Sequence, residues 1–265
     1  MKGCTSYNPP NRQLGMYMLY SAEFLKSLLP FKVNGVLHVG AHNAEENIQY
    51  VRNSWFPVIW VEAQNKLADD LRNSLDSRSN RIIDAAVWDK NDIELELIIT
   101  SNSQSSSLFE LGNHKENYPD IIEIERVSVS TKRLDSLLTE AECPNFINID
   151  IQGAELRALK GLGTLLKVID CAYLEVNKEE VYLNCPRVSE IDIFMKENDF
   201  KRISTRWVLF KGWGDAIYLK DKYVELIPAR LIWKLNYFQF IFYLDQYYGL
   251  AKVNSLKVIR FLRKI

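Results

Sequence analysis

Apolar positions fall along the chain in short unbroken runs, and between the runs they recur at helical spacing. "VLHV" at 36–39, "VIWVEA" at 58–63, "RIIDAAVW" at 81–88, "NFINIDI" at 145–151 and "DCAYLEV" at 170–176 have the length and composition of strands buried on both faces. Residues 45–55, 65–75, 154–166 and 189–198 carry helical patterns, and a helical lead over 16–29 is closed by Pro30. Alternation of this kind predicts parallel βαβ units and an α/β fold. "IELELIIT" at 93–100 and "IEIERVSVST" at 122–131 read as added strands that bracket a polar segment, 101–120, and "FKRISTRWVLF" and "DAIYLK" read as a closing strand pair. A polar segment of that length inside a compact domain is usually functional or disordered.

The stretch "GVLHVGAHNAEE", residues 35–46, is a strand, a glycine turn and the start of a helix, the unit that cradles nucleotides in open α/β sheets. Gly40 permits a tight turn and close approach of a ligand, and Glu45 and Glu46 are expected in the first helical turn, where acids are favoured. The dinucleotide fingerprint needs further glycines where this chain has His42 and the residues after it, so a pyrophosphate fits poorly and a nucleoside fits better. Glu62, at the end of the next strand, stands near the spacing at which an acid binds ribose hydroxyls, about 20 residues on. An ordinary βα turn and a solvated strand end are the plainer readings of the two features taken singly.

Composition narrows the partners. The chain has 265 residues, 47% hydrophobic and 25% charged, with a formal net charge of -1, so no chain-wide field attracts nucleic acid. Cys4, Cys143, Cys171 and Cys185 show neither disulfide-frame nor zinc spacing. A reducing cytoplasm is the expected compartment, and neither a secretory signal nor a membrane-spanning run is evident.

The ordered series "HVGAH", "WVEA", "DAAVWD", "SSSLFE", "TKRLDSLL", "FINIDIQGAELRALKG", "YLEVN" and "GWGDAIYL" resembles the FkbM family of S-adenosylmethionine-dependent O-methyltransferases over residues 33–220. The resemblance implies a class I methyltransferase (Rossmann-like) fold, a mostly parallel sheet with helices on both faces whose last strand runs antiparallel. It implies transfer of a methyl group to a hydroxyl of a sugar or glycan; polyketide-type small molecules are a second acceptor class. Carried over by position, Gly40 with its neighbours His38, Ala41 and His42 would border the cofactor's methionine and ribose, Glu62 and Ala63 the ribose diol, and Asp84 and Ala85 the adenine. Asp150 would end the strand nearest the transferred methyl. This chain has His38 where many members have Asp, and Asn148 where many have Lys. A dinucleotide oxidoreductase, a silent nucleoside-binding module and a nucleic-acid methyltransferase are the competing functions.

Methyl transfer to a hydroxyl needs alignment of the acceptor and removal of its proton. His114, in the polar segment, has the side chain best suited to a base near neutral pH. Asp150 and Glu175 end adjacent parallel strands and face one crevice, where with Asp215 they can bind sugar hydroxyls, take the proton or share a divalent metal. Capping of the helix that follows is the competing reading of Asp150. Trp213 suits the apolar face of a pyranose or the core.

The organisation expected is a helical lead over 1–32, a methyltransferase domain over 33–221 and a basic, aromatic helical segment over 222–265. That last segment carries Lys222, Arg230, Lys234, Lys252, Lys257, Arg260, Arg263 and Lys264 against Glu225 and Asp245, and 258–265 repeats at helical spacing. A core-facing flap, a second subunit and a peripheral membrane contact are the roles open to it.

Overall fold

The computed structural model describes residues 18–248. Helix α1 (Ala22–Leu28) is capped by the Ser21 side chain and followed by β1 (Val36–Val39), α2 (Asn47–Asn53), β2 (Val58–Glu62), α3 (Asn65–Ser74) and β3 (Asn80–Asp84). Next come β4 (Ala86–Val87), β5 (Glu94–Thr100), α4 (His114–Asn117), β6 (Glu123–Lys132) and α5 (Leu134–Leu137). The chain continues through β7 (Phe146–Ile149), α6 (Glu155–Gly161), β8 (Cys171–Asn177), α7 (Val188–Glu197), β9 (Phe200–Trp207), β10 (Trp213–Lys220), α8 (Asp221–Val224) and α9 (Ala229–Tyr248).

Seven strands form one sheet in the order β3-β2-β1-β7-β8-β10-β9. The first five run parallel, and β10 is antiparallel to both β8 and β9. The expected α/β architecture is therefore present, with its antiparallel closing strand. Two expectations change in detail. The run at 81–88 is not one strand, because the chain breaks at Ala85 and β4 joins a second sheet, β4-β6-β5. The acids Glu45 and Glu46 precede α2 instead of opening it, since His42 and Ala44 hold left-handed turns, φ 45° and 53°.

Strand side chains alternate between the sheet's faces. On one face Leu37, Val39, Ile59, Val61, Ile147, Ile149, Leu174 and Val176 meet Leu156 and Leu159 of α6 and Ile191 and Met195 of α7 in a wholly apolar layer. On the other, Val36, Val58, Trp60, Phe146, Cys171, Tyr173, Ile217 and Leu219 meet Leu25 and Leu28 of α1, Tyr50 of α2, Leu71 of α3 and Leu235 of α9. The lead around α1 thus shares the core of the main sheet. Cys143, Cys171 and Cys185 are buried free thiols. No helix among the described residues is long and apolar enough to cross a membrane. The repeat at 258–265 lies outside the described residues.

Candidate active site

On the second face the alternate residues turn polar toward the carboxyl ends of the parallel strands, His38 on β1, Glu62 on β2, Asn148 on β7 and Glu175 on β8, and beside them Asp215 stands near the amino end of antiparallel β10. All five are buried, and all five line a single cleft with Gly40, His42, Glu46, Asp150 and Gln152. Carboxyl ends of parallel strands are where open α/β sheets bind ligands.

The first wall is the β1–α2 turn. Gly40 has φ +91°, and a Cβ there would stand 1.8 Å from the carbonyl oxygen of Asp150, so this glycine lets two strand-end loops meet as well as lining the cleft. Glu62 enters from β2, where its carboxylate accepts from the backbone N–H of His42 at 2.8 Å and of Gln64 at 2.9 Å. Burial raises its pKa. The His42 ring lies between Glu45, 2.7 Å from Nδ1, and the Ser103 hydroxyl, 2.7 Å from Nε2. That contact and the Ser107 hydroxyl's bond to the Gln152 backbone carbonyl at 2.6 Å hold Ser103, Gln104, Ser106, Ser107 and Leu108 along the cleft as a roof.

His38 and Asn148 stand opposite each other in the β1–β7 register. Asn148 donates to the Tyr50 hydroxyl at 3.0 Å, and that hydroxyl lies 3.0 Å from His38 Nδ1. Burial pushes the His38 pKa down to about 3, so the imidazole is neutral. Where the resemblance leads one to expect an Asp and a Lys, the chain carries an uncharged hydrogen-bonded cluster.

The second wall joins β7, β8 and β10. Asp150 does not cap α6; the turn's N–H groups at Ile151 and Gly153 donate to Glu155, at 3.1 and 3.0 Å. The Gln152 side-chain amide, on a residue at φ 54°, instead donates to both Asp150 Oδ1 (2.6 Å) and Glu175 Oε2 (3.0 Å), while its Oε1 accepts from the Tyr182 hydroxyl. Asp215 faces Glu175 across the β8–β10 ladder. Its Oδ2 accepts from the Leu19 N–H at 2.7 Å and from the Tyr173 hydroxyl. Among the described residues no hydrogen bond reaches Oδ1, which is left to the cleft.

Burial raises most of the acids here: Glu46 to about 8, Asp215 to about 7, Asp150 above its usual range and Glu175 well above it, with repulsion from Asp150 adding to the last, whereas Glu45, despite its burial, is held below the usual range by its hydrogen bond with His42. Six carboxylates line the cleft, Glu45, Glu46, Glu62, Asp150, Glu175 and Asp215, with no Lys or Arg among the lining residues. Arg206 lies behind, donating to the Leu19 carbonyl and stacked on Tyr20.

The structure thus brings together His38, Gly40, His42, Glu62, Ala63, Ala85, Asp150, Glu175 and Asp215. Three expected residues stand elsewhere. His114 opens α4, is buried against Tyr118 and Tyr182, and does not line the cleft; burial lowers its pKa to about 4. The part of the polar segment that lines the cleft falls within 103–108. Asp84 is exposed one strand beyond Glu62, where Ala85, Ala86 and Val87 supply the lining. Ala41 points into the apolar core. Among the described residues no group of three or more His, Cys, Asp or Glu side chains is placed to hold a metal ion, so the shared divalent site expected of Asp150, Glu175 and Asp215 is not formed. Gln152, Glu46, Tyr173 and Met18 line the cleft unforeseen. A turn glutamine directly after a strand-end acid was the available signal for the first.

The FkbM methyltransferase domain profile matches residues 38–202, more than half of the chain and every strand of the cleft but β10. The chain belongs to the FkbM methyltransferase family. No curated protein matches it. Among solved structures, an NADB-Rossmann superfamily protein from Streptococcus agalactiae is 14% identical, with 77% of this chain and 70% of that one covered and a TM-score of 0.43. Magnesium protoporphyrin IX methyltransferase from Synechocystis, solved with SAM bound, is 10% identical, with 76% of each chain covered and a TM-score of 0.40. An rRNA methylase from Streptococcus thermophilus is 11% identical over 76% of this chain and 93% of that one, at 0.40. At these values the three say nothing of what the FkbM domain described here methylates.

Proposed function

We propose that the cleft binds S-adenosylmethionine and that the protein transfers its methyl group to a hydroxyl of a sugar or glycan. The observation that carries this reading is the acidity of the cleft: six acidic side chains and no basic one in its lining. Such a site favours a ligand with net positive charge and repels phosphates, which argues against dinucleotides and nucleic acid. S-Adenosylmethionine supplies a methyl group on a cationic sulfur. Glu62 fits a ribose diol, since each of its oxygens spends one lone pair on a backbone N–H and keeps another for a hydroxyl.

For the acceptor, Asp215 is the base the geometry supports. One of its oxygens is held by Leu19 and Tyr173, the other is free, and a pKa pushed up to about 7 suits proton removal near neutrality. As the acceptor oxygen bonds to the methyl carbon and the carbon–sulfur bond breaks, the hydroxyl proton passes to Asp215. Glu175 keeps its proton, so beside Asp150 it is a neutral donor, and Gln152 fixes the spacing of the two. Trp213, anchored by its indole N–H on the Tyr118 hydroxyl at 3.0 Å, offers a flat apolar surface to a pyranose.

The experiment is a calorimetric titration with S-adenosylmethionine and, separately, with NAD, followed by incubation with methyl-labelled cofactor and a panel of rhamnosides, fucosides and polyketide glycosides. Heat with the first ligand only and label in a glycoside are expected. Absence of heat with S-adenosylmethionine removes the cofactor reading; label confined to peptide or nucleic acid removes the sugar.

A further inference from the structure

Arg206 of β9 and Asp215 of β10 stand directly opposite each other in the β9–β10 ladder, so their side chains leave the same face of the sheet. Instead of closing an ion pair, they grip opposite ends of one peptide. The Leu19 N–H donates to Asp215 Oδ2 at 2.7 Å, and the Leu19 carbonyl accepts from Arg206 Nη1. The next residue of the lead adds a second brace: the Tyr20 N–H donates at 3.1 Å to the Tyr173 hydroxyl, which itself donates to Asp215 Oδ2. Tyr20 is fixed in turn, with its hydroxyl 2.5 Å from Ser204 Oγ and its ring 4.1 Å from the Arg206 guanidinium. Phe242 of α9 lies 5.4 Å from that guanidinium.

The interposed peptide changes what the cation does. A guanidinium paired directly with a carboxylate engages both oxygens and makes it a weaker base. Here only Oδ2 is engaged, and Arg206 acts on it at one remove, by polarising the peptide whose N–H it faces away from. The groups around Asp215 are otherwise acids and phenols: Asp150 at the end of β7, Glu175 and Tyr173 on β8, Glu46 before α2 and Tyr20 in the lead. Arg206 itself does not line the cleft. Leu19, Arg206 and Asp215 all lie outside residues 38–202, the part of the chain that the family profile matches.

We propose that Arg206 is a positioning residue for Asp215, acting through the Leu19 peptide, so that the lead and β9 together hold one oxygen of the base and aim the other at the acceptor. The proposal rests on the reading of Asp215 as that base. Its sign is fixed by the charges. Loss of the cation, and loosening of the Leu19 N–H that it anchors, both favour the protonated carboxyl, so without Arg206 the base ionises at higher pH.

The test follows two readouts across pH in the full chain: turnover with methyl-labelled cofactor, and the Asp215 carboxyl by carbon-13 NMR in the cofactor-free protein, its signal identified by its absence from Asp215→Asn. In Arg206→Met the midpoint of the rise in turnover and the Asp215 titration are both expected to move up by about one pH unit. Turnover at about pH 6 then falls roughly tenfold and recovers above about pH 9, at unchanged S-adenosylmethionine affinity in calorimetry. Arg206→Gln also removes the charge and serves where Arg206→Met does not fold. Arg206→Lys keeps a cation and a donor and is expected to restore most of the turnover at neutral pH. An unmoved Asp215 titration in the uncharged variants would overturn the proposal, and so would a loss of turnover equal at every pH, the mark of a purely structural residue. The reading of Asp215 as the base fails separately, by normal turnover in Asp215→Asn.

Discussion

The two faces of the main sheet are written by alternate residues of the same strands, yet they do different work. Leu37, Ile59, Ile147, Leu174 and Ala216 on one face are apolar from end to end and meet α6 and α7 in a dry layer. Their neighbours one position along are apolar only at the amino ends of the parallel strands, as in Val36, Val58, Phe146 and Cys171, and become His38, Glu62, Asn148 and Glu175 at the carboxyl ends, where antiparallel β10 adds Asp215 from its amino end. The dry face holds the strands in register, so the wet face can carry acids whose burial works against folding. The site is thus a local exception on a scaffold stabilised elsewhere.

If that division is right, substitutions on the two faces separate chemistry from stability. The largest effect is expected from Asp215→Asn, which removes the proton acceptor with little change in shape and should lower turnover about 10²- to 10⁴-fold at unchanged cofactor affinity. Wild-type turnover should rise with pH as Asp215 ionises near its pKa of about 7. The variant, assayed with labelled cofactor, should lose that rise; normal turnover would move the base to Asp150. Leu174→Ala, one residue from Glu175 but on the dry face, should cost about 2–5 kcal/mol in denaturant titration and leave cofactor affinity unchanged in the folded protein. An affinity loss matching that of cleft variants would break the distinction between faces.

Glu62→Ala should weaken S-adenosylmethionine by the worth of hydrogen bonds to a charged group, about 1.5–3 kcal/mol or roughly 10- to 150-fold, read by calorimetry. The smallest effect concerns pH. Glu46 has its folded pKa raised from 4.5 to about 8, so the folded chain keeps a proton that the unfolded chain releases. Its contribution to stability is therefore full below the ordinary carboxylate range and is lost as pH rises toward about 8. The melting temperature of the cofactor-free protein should fall by several degrees over that interval, and Glu46→Gln should flatten the slope. A melting temperature rising with pH in both proteins would contradict the burial of these acids without cations.

Strands were readable because a buried strand needs an unbroken apolar run, and an acid at its end stands out against that run. Glu62, Asp150, Glu175 and Asp215 all announced themselves in this way. Asp84 did so equally, but whether a strand end faces the cleft depends on the strand's place in the sheet, and β3 lies at its margin. His114 misled because composition marks a polar segment as solvated, whereas Leu111 and Tyr182 pack with Trp213 in a small core of their own and His114 packs on Tyr182. Gln152 was hidden for the opposite reason. A glutamine in a turn is commonplace, and only the meeting of β7 with β8 gives it two carboxylates to bridge.

His42 belongs to both the floor and the roof of the cleft. Its N–H supports Glu62 while its ring is fastened to Ser103. Releasing Ser103 leaves the ring on Glu45, 2.7 Å from Nδ1, so the backbone that steadies the carboxylate proposed to hold the ribose stays braced while the roof opens. For the nucleoside cofactor proposed above, the Ser103 contact and the Ser107 hydroxyl's bond to the Gln152 backbone carbonyl at 2.6 Å are then the latch that opens before release, and His42 is the fixed post on which it closes.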